Sequence, residues 1–489
     1  MHIVSFIATL LVGASTPKES PEGLIIGRTL GPTPIAADLE ELVDGIGGRP
    51  TGSAALEQAI DWAIAKLKAA GLENVRAEEY TARGIWLPGV DLGELTAPHA
   101  EPLRVAAMPF SMATAPGGLE AEVIDAGPGD EESFAALGER AKGRWLLIHT
   151  EPMKSLEDLF KEYLITDPIF SRAAAAGAVG VLWMSNRSGR LLYRHNVTIN
   201  GAQRPLAAAV LEREGALRIA RVLRSGHPAK VRLRLAGRYL PSVPARNVVA
   251  EIRGRETPEE LVILGAHLDS WELGRGALDN GCNVALVIDV ARQIAALKLR
   301  ARRTLRFVLY TGEEAGTWGS LGDVRNHRSR LDDVKAQIVF DIGSGRTTGF
   351  SLGGRADLKA AVDAALAPAA ALGPFTHTLD AFVGTDNYDY LLEGVPTLVA
   401  NQEGAPYLPD YHAESDTFDK VDLREMKANT AIAAVLMYGL ANSATPPASR
   451  QSRAEIETLL TKTGLEQEMR AFDLWNEFLS GERGRPPLK

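Results

Sequence analysis

From residue 246 onward the chain repeats one rhythm. Short apolar runs, NVVAEIRG, LVILGAH, LRFVLYT, QIVFDIG and PTLVA, alternate with longer segments such as NVALVIDVARQIAALKL, whose apolar residues recur at helical spacing. Strands that alternate with helices of this length build a largely parallel sheet covered on both faces. The expected fold class is therefore α/β, a mixed, largely parallel sheet flanked by helices. In such sheets ligands bind beyond the carboxyl ends of the strands. What the sequence places at those ends is thus the functional question.

The ends are acidic. LVIL runs into GAHLDSWELGRGALDNG, which carries His267, Asp269 and Asp279. LRFVLYT is followed by Glu313 and Glu314, QIVF by Asp341, and a later loop, YLPDYHAESDTFDKVD, holds His412. Singly, each has an ordinary reading as a helix cap, a turn residue or a solvated surface group. Together they put several carboxylates at one end of a buried sheet, which is expensive without cations. Oxygen and imidazole donors suit two hard or borderline dications. Adjacent glutamates point in different directions, so one of Glu313 and Glu314 is expected as a ligand and the other as a base. Asp269, two residues after His267, can accept the free imidazole N–H and orient the ring. The glycines of GRGALDNG let the backbone bring Asp279 back toward the same place. The pattern predicts a two-metal hydrolase.

Length and charge set limits around this centre. A chain of 489 residues exceeds one ordinary core and predicts two or three domains. A net charge of −9 argues against a nucleic-acid partner. The basic run KLRARRT reads as a solvated connection. MHIVSFIATLLVGAST resembles a secretory signal, with residues 1–14 removed, and predicts a secreted or periplasmic protein without a later membrane span. The lone Cys282 permits no intramolecular disulfide and reads as small packing.

The character of the chain changes near residue 115. Residues 116–235 read as an inserted module of short strands and helices, between a first catalytic segment (20–115) and a second (236–450) that carries the metal site. Within the first, ADLEELVDGI and ALEQAIDWAIAKLKAAGL read as helices separated by the turn cluster GGRPTGS. The final 451–489 reads as a helical tail of one or two amphipathic helices with a frayed end.

With these residues in view, the chain resembles the co-catalytic zinc exopeptidases, most closely the carboxypeptidase Q (plasma glutamate carboxypeptidase) group. ARNVVAEIRG, GAHLDSWELGRGALDNG, RTLRFVLYTGEE, GTDNYDYLLEGVP and YHAESDTFDKVD carry the resemblance. It implies two Zn2+ per chain, with His267 on one ion and His412 on the other. Asp279 would bridge them, and Glu314 and Asp341 would complete the shells. Glu313 would be the general base, and Asp386 in GTDNYDY would support the cleft. The inserted module resembles a protease-associated domain that shapes substrate access, and the group suggests a homodimer. Asn280, Cys282 and Asn283 depart from the group's usual residues in the same turn, which bears on substrate preference rather than on the ligands.

The function so implied is hydrolysis of short peptides by a dipeptidase or carboxypeptidase. An aminopeptidase using the same zinc pair, an amidohydrolase acting on acylated amino acids and an inactive binding module are the competing readings. A free substrate carboxylate calls for an Arg or a helix N-terminus, and Arg275, between His267 and Asp279, is the candidate clamp.

Overall fold

The computed structural model describes residues 20–487. The signal segment expected over 1–14 lies outside them. Among the described residues, no helix is long and apolar enough to cross a membrane.

Seven strands form the principal sheet, in the order Glu73–Leu87, Arg238–Ile252, Arg303–Tyr310, Thr257–His267, Val334–Val339, Thr397–Gln402 and Thr347–Ser351. The four from Arg303–Tyr310 to Thr397–Gln402 run parallel, and the outer strands pair antiparallel. The mixed, largely parallel sheet expected from the sequence is the one observed. All eight residues of Arg303–Tyr310 are buried, as a strand covered on both faces requires.

The helices Cys282–Ala296 and Leu423–Asn442 pack on one face of this sheet and on each other. Nearly every residue of Cys282–Ala296 is buried, so it is covered on all sides rather than along one stripe, with its buried Asp289 paired to Arg292 and Gln293. Cys282 lies at its start, 1% exposed, as a packing residue. The two helices read over ADLEELVDGI and ALEQAIDWAIAKLKAAGL stand where the sequence indicates, and a further helix, Pro21–Leu30, capped by the Ser20 hydroxyl, precedes them. Ile35–Glu40 continues as a π-helical turn over Glu41–Ile46, and Ala54–Ala69 is capped by the Ser53 hydroxyl. The basic run ends as Arg303 enters its strand, where its guanidinium meets Glu260 at 2.7 Å.

A second sheet of eight strands lies between Leu92 and Arg234. Its centre is parallel: Leu119–Asp125, Trp145–Ile148, Gly180–Met184 and Ala207–Leu211. The sheet takes in three strands that precede residue 116, namely Leu92–Ala97, Glu101–Leu103 and Val105–Ala107. Each is three to six residues long, too short for its alternation to register in the sequence. The two sheets are joined by one long ribbon, in which Glu73–Leu87 pairs antiparallel with Arg238–Ile252.

The C-terminal segment forms three helices, Arg453–Thr463, Leu465–Ala471 and Trp475–Ser480. Among the described residues it is packed rather than frayed. Ile456, Leu460, Met469 and Phe478 bury against Tyr388, Leu391 and Leu392. Beyond the last helix, Arg483 is 1% exposed and ion-pairs with Asp389 at 2.8 Å.

Candidate metal centre

Four neighbouring parallel strands deliver the acidic residues to one place. His267 is the last residue of its strand. Glu313 and Glu314 follow Arg303–Tyr310 on one side of it, and Asp341 follows Val334–Val339 on the other. His412 comes from the loop after Thr397–Gln402, and Asp279 from the crossover that leads into the helix Cys282–Ala296. Two turns depend on glycine. Gly312 has φ +76, and a Cβ there would stand 2.8 Å from the Tyr80 hydroxyl; Gly276 has φ +62, and a Cβ there would stand 2.4 Å from Ser270.

The donor atoms fall into two triads that share one carboxylate. His267 Nε2 is 2.9 Å from Asp341 Oδ1 and 3.1 Å from Asp279 Oδ1. His412 Nε2 is 2.8 Å from Glu314 Oε2 and 3.3 Å from Asp279 Oδ2. Within each triad the donors lie within 4.8 Å of one another. The two oxygens of Asp279 thus face different histidines. Both imidazoles turn Nε2 inward and Nδ1 outward. His267 Nδ1 donates to the Asp269 carbonyl at 2.9 Å, and His412 Nδ1 to the Arg194 carbonyl at 3.2 Å. That hydrogen bond fixes the tautomer that leaves Nε2 free for a metal.

The electrostatics have one theme. Burial pushes the carboxyl groups of Glu313 and Asp341 up, Glu313 well above the usual range, and brings Glu314 to about 7. Burial opposes charge on the histidines as well, but the carboxylates outweigh it. Asp341, with Asp269 and Asp279, holds His267 well above its ordinary value, and Glu314 with Asp279 brings His412 to about 9. Four buried carboxylates thus draw protons onto two imidazoles. A donor set of two imidazoles and three carboxylates short of positive charge fits two dications of the borderline, zinc-like kind.

The sequence did not single out the groups that hold these donors. The Asp416 carboxylate accepts the backbone N–H groups of Ala277, Leu278 and Asp279, at 2.7–3.2 Å, and sets the shared aspartate. Tyr407 donates its hydroxyl to Asp279 Oδ2 at 2.9 Å. Arg49, buried in the turn read as GGRPTGS, donates to the carbonyls of Gly47, Leu268, Arg275 and Gly276 and so ties the loop that carries His267 and Asp279 to the first segment. From the inserted module, Asn196 Nδ2 donates to the Glu314 carbonyl at 2.8 Å. Arg194 N–H donates to the His412 carbonyl at 3.0 Å, which holds His412 at φ 54, an uncommon conformation for a residue with a side chain. Asp416 sits in the same motif as His412 and could have been found there. Arg49, Arg194 and Asn196 act from more than a hundred residues away, and nothing local marks them.

Three residues stand differently from expectation. The Asp269 carboxylate is 3.6 Å from His267 Nδ1, which instead reaches the residue's own main-chain carbonyl. The carboxylate accepts the Thr51 hydroxyl at 2.8 Å and the Glu313 N–H at 3.3 Å. Arg275 is exposed, lies outside the cavity lining and reaches toward Gly47, so it is not placed as a carboxylate clamp. Asp386 is fully buried and also lies outside the lining, one residue behind Thr385, with its carboxyl pushed well up by burial.

The two triads open into a cavity of ≈ 490 Å³, lined also by Glu313. Its size is that of a small-ligand site.

Residues 247–437, the stretch that holds all five donors, match the model of Peptidase family M28. Carboxypeptidase Q of Mus musculus is 28% identical over 407 residues, covering 82% of this chain and 84% of that protein. Among solved structures, a peptidase M28 precursor from Shewanella amazonensis SB2B superposes with a TM-score of 0.80 at 26% identity, over 88% of this chain and 98% of that one. The zinc aminopeptidase BSAP from Bacillus subtilis shares the fold, with a TM-score of 0.66 at 17% identity over 86% and 97% of the two chains. Joined to the buried donor set, these likenesses mark a metallo-exopeptidase whose residues 247–437 are similar to Peptidase family M28.

Proposed function

We propose that the protein is an exported exopeptidase that binds two zinc ions and hydrolyses short peptides as a dipeptidase or carboxypeptidase. The observation that carries this reading is the Asp279 carboxylate, whose two oxygens face two separate histidine–carboxylate pairs. In this reading His267, Asp341 and Asp279 hold one ion, and His412, Glu314 and Asp279 the other. The pair would polarise the scissile carbonyl and lower the pKa of the attacking water. Glu313 lines the cavity beside both triads without belonging to either. It takes a proton from the water as oxygen attacks the carbonyl carbon, and returns it to the amine as the C–N bond breaks. Burial favours the protonated form of Glu313. Positive charge at the triads favours its ionised form and so its work as a base near neutral pH. The Glu313 N–H donates to Asp269, which positions the base.

We take the unit built on the second sheet, from Leu92 to Arg234, as a protease-associated module lying against the catalytic segments, and a homodimer as the assembly. The test uses purified protein with zinc measured by mass spectrometry. Two ions per chain, cleavage of dipeptides and loss of activity on chelation are expected. A single ion, or full activity after chelation, defeats the two-zinc reading. Dipeptides blocked at the amine or at the carboxylate decide which terminus is recognised. Cleavage confined to free-amine substrates whatever the C-terminal block makes the enzyme an aminopeptidase.

A further inference from the structure

One wall of the substrate cavity comes from the C-terminal segment, to which the reading above gives no role. Phe472 and Leu474, between the last two helices, line the cavity that holds the metal donors. Facing the same space are Leu159 and Phe160 from the helix Leu156–Ala175 of the inserted module, Ile199 from a later loop of that module, and Phe382. Phe160 and Phe382 meet edge to face at 6.1 Å, so the module touches the catalytic segment across the cavity. Three stretches far apart in the chain thus supply an apolar surface continuous with the metal centre.

The charged groups on this part of the lining are Asp380, Glu468 and Arg483. Glu468 accepts the Val383 N–H at 3.3 Å. Arg483 is committed to Asp389 at 2.8 Å and to the Gly316 carbonyl at 2.9 Å. Among the described residues no lysine lines the cavity, and the one arginine there is already paired. An acidic side chain entering there would lose water and meet Glu468 without a free cation. A large apolar side chain would replace water against aromatic and aliphatic carbon.

We infer that Phe472 and Leu474 of the C-terminal segment, together with Phe160 and Phe382, form the side-chain subsite of this exopeptidase and select peptides bearing a large apolar residue over acidic ones. The inference rests on the peptidase reading but concerns selectivity alone.

The experiment compares kcat/KM of the zinc-loaded full-length enzyme on two dipeptide series, Xaa-Ala and Ala-Xaa, with Xaa as Phe, Leu, Ala, Lys and Glu. In one series Phe and Leu should exceed Glu by roughly tenfold or more, the range a hydrophobic pocket delivers. Phe472→Ala should lower the Phe-to-Ala ratio of kcat/KM in that series by about tenfold. Phe160→Ala, on the opposite side, should lower the same ratio and keep the subsite testable if Phe472→Ala folds poorly. Zinc content and melting temperature report the state of each variant. Preference for Glu, or variants that slow every substrate equally while keeping zinc and fold, would overturn the subsite. Failure of the zinc-loaded enzyme to cut any dipeptide would instead overturn the peptidase reading beneath it.

Discussion

Glu313 and Asp269, joined by the Glu313 N–H, show how two neighbouring acidic residues come to differ in surroundings. Glu313 lines the cavity and is held above the usual carboxylate range by burial, whereas Asp269 is sealed from solvent and satisfied by Thr51 and the Glu313 N–H. Glu313→Gln should keep both metals and the fold while kcat falls by on the order of 10² or more. Near-normal turnover in that variant would remove Glu313 from the chemistry. Asp269→Asn keeps the main-chain carbonyl that orients His267. It should therefore reduce kcat, by loosening Glu313, more than it reduces zinc affinity. A zinc affinity that drops by about 100-fold, as it can when an orienting partner of a ligand is lost, would return the orienting role to the carboxylate. Away from the site, His327 has its pKa raised by Asp323, which wins over burial. A raised folded value means that the protonated form stabilises the fold. That contribution is complete below the unfolded histidine value of about 6.5 and disappears as pH rises through the folded one. His327→Gln should accordingly lower the urea midpoint more at pH 5 than at pH 8.5. The reverse order would contradict the assignment.

At the scale of elements, the loop 267–281 is the part that must be held, because it carries two donors and has little regular structure of its own. Asp416 supplies the hold by accepting three successive N–H groups, and Arg49 by donating to four carbonyls. Asp416→Ala leaves those N–H groups without their acceptor. It should lower zinc occupancy at both positions together, since Asp279 faces both histidines. Loss of one ion alone, read by metal analysis, would show that Asp279 is not set by this contact. Much of this level was legible beforehand. A His or Asp immediately after a buried apolar run has only the strand's carboxyl end to occupy. The hold was less legible, because a turn such as GGRPTGS reads the same whether its arginine faces water or four buried carbonyls.

For the whole molecule, the C-terminal segment is an integral part and not an appendage. Arg483 is buried against Asp389 and also donates to Gly316 and Thr317, just after the glutamate pair. Breaking such a buried pair leaves a carboxylate uncompensated at a cost of about 3–5 kcal/mol. Arg483→Met should lower the unfolding midpoint and speed proteolytic release of the segment. An unaltered midpoint would mean that the pair contributes nothing net. What the amino-acid order determined by itself is the succession of buried strands and the identity of the donors that end them, because alternation, apolar runs and chelating residues are local properties. Which histidine faces which carboxylate, that the shared aspartate is set by a residue 137 positions later, and that an inserted module and a C-terminal helix enclose the cavity were decided only by the folded chain. Those contacts join groups that are remote in sequence and meet only when the two sheets and the last helices bury their apolar faces together.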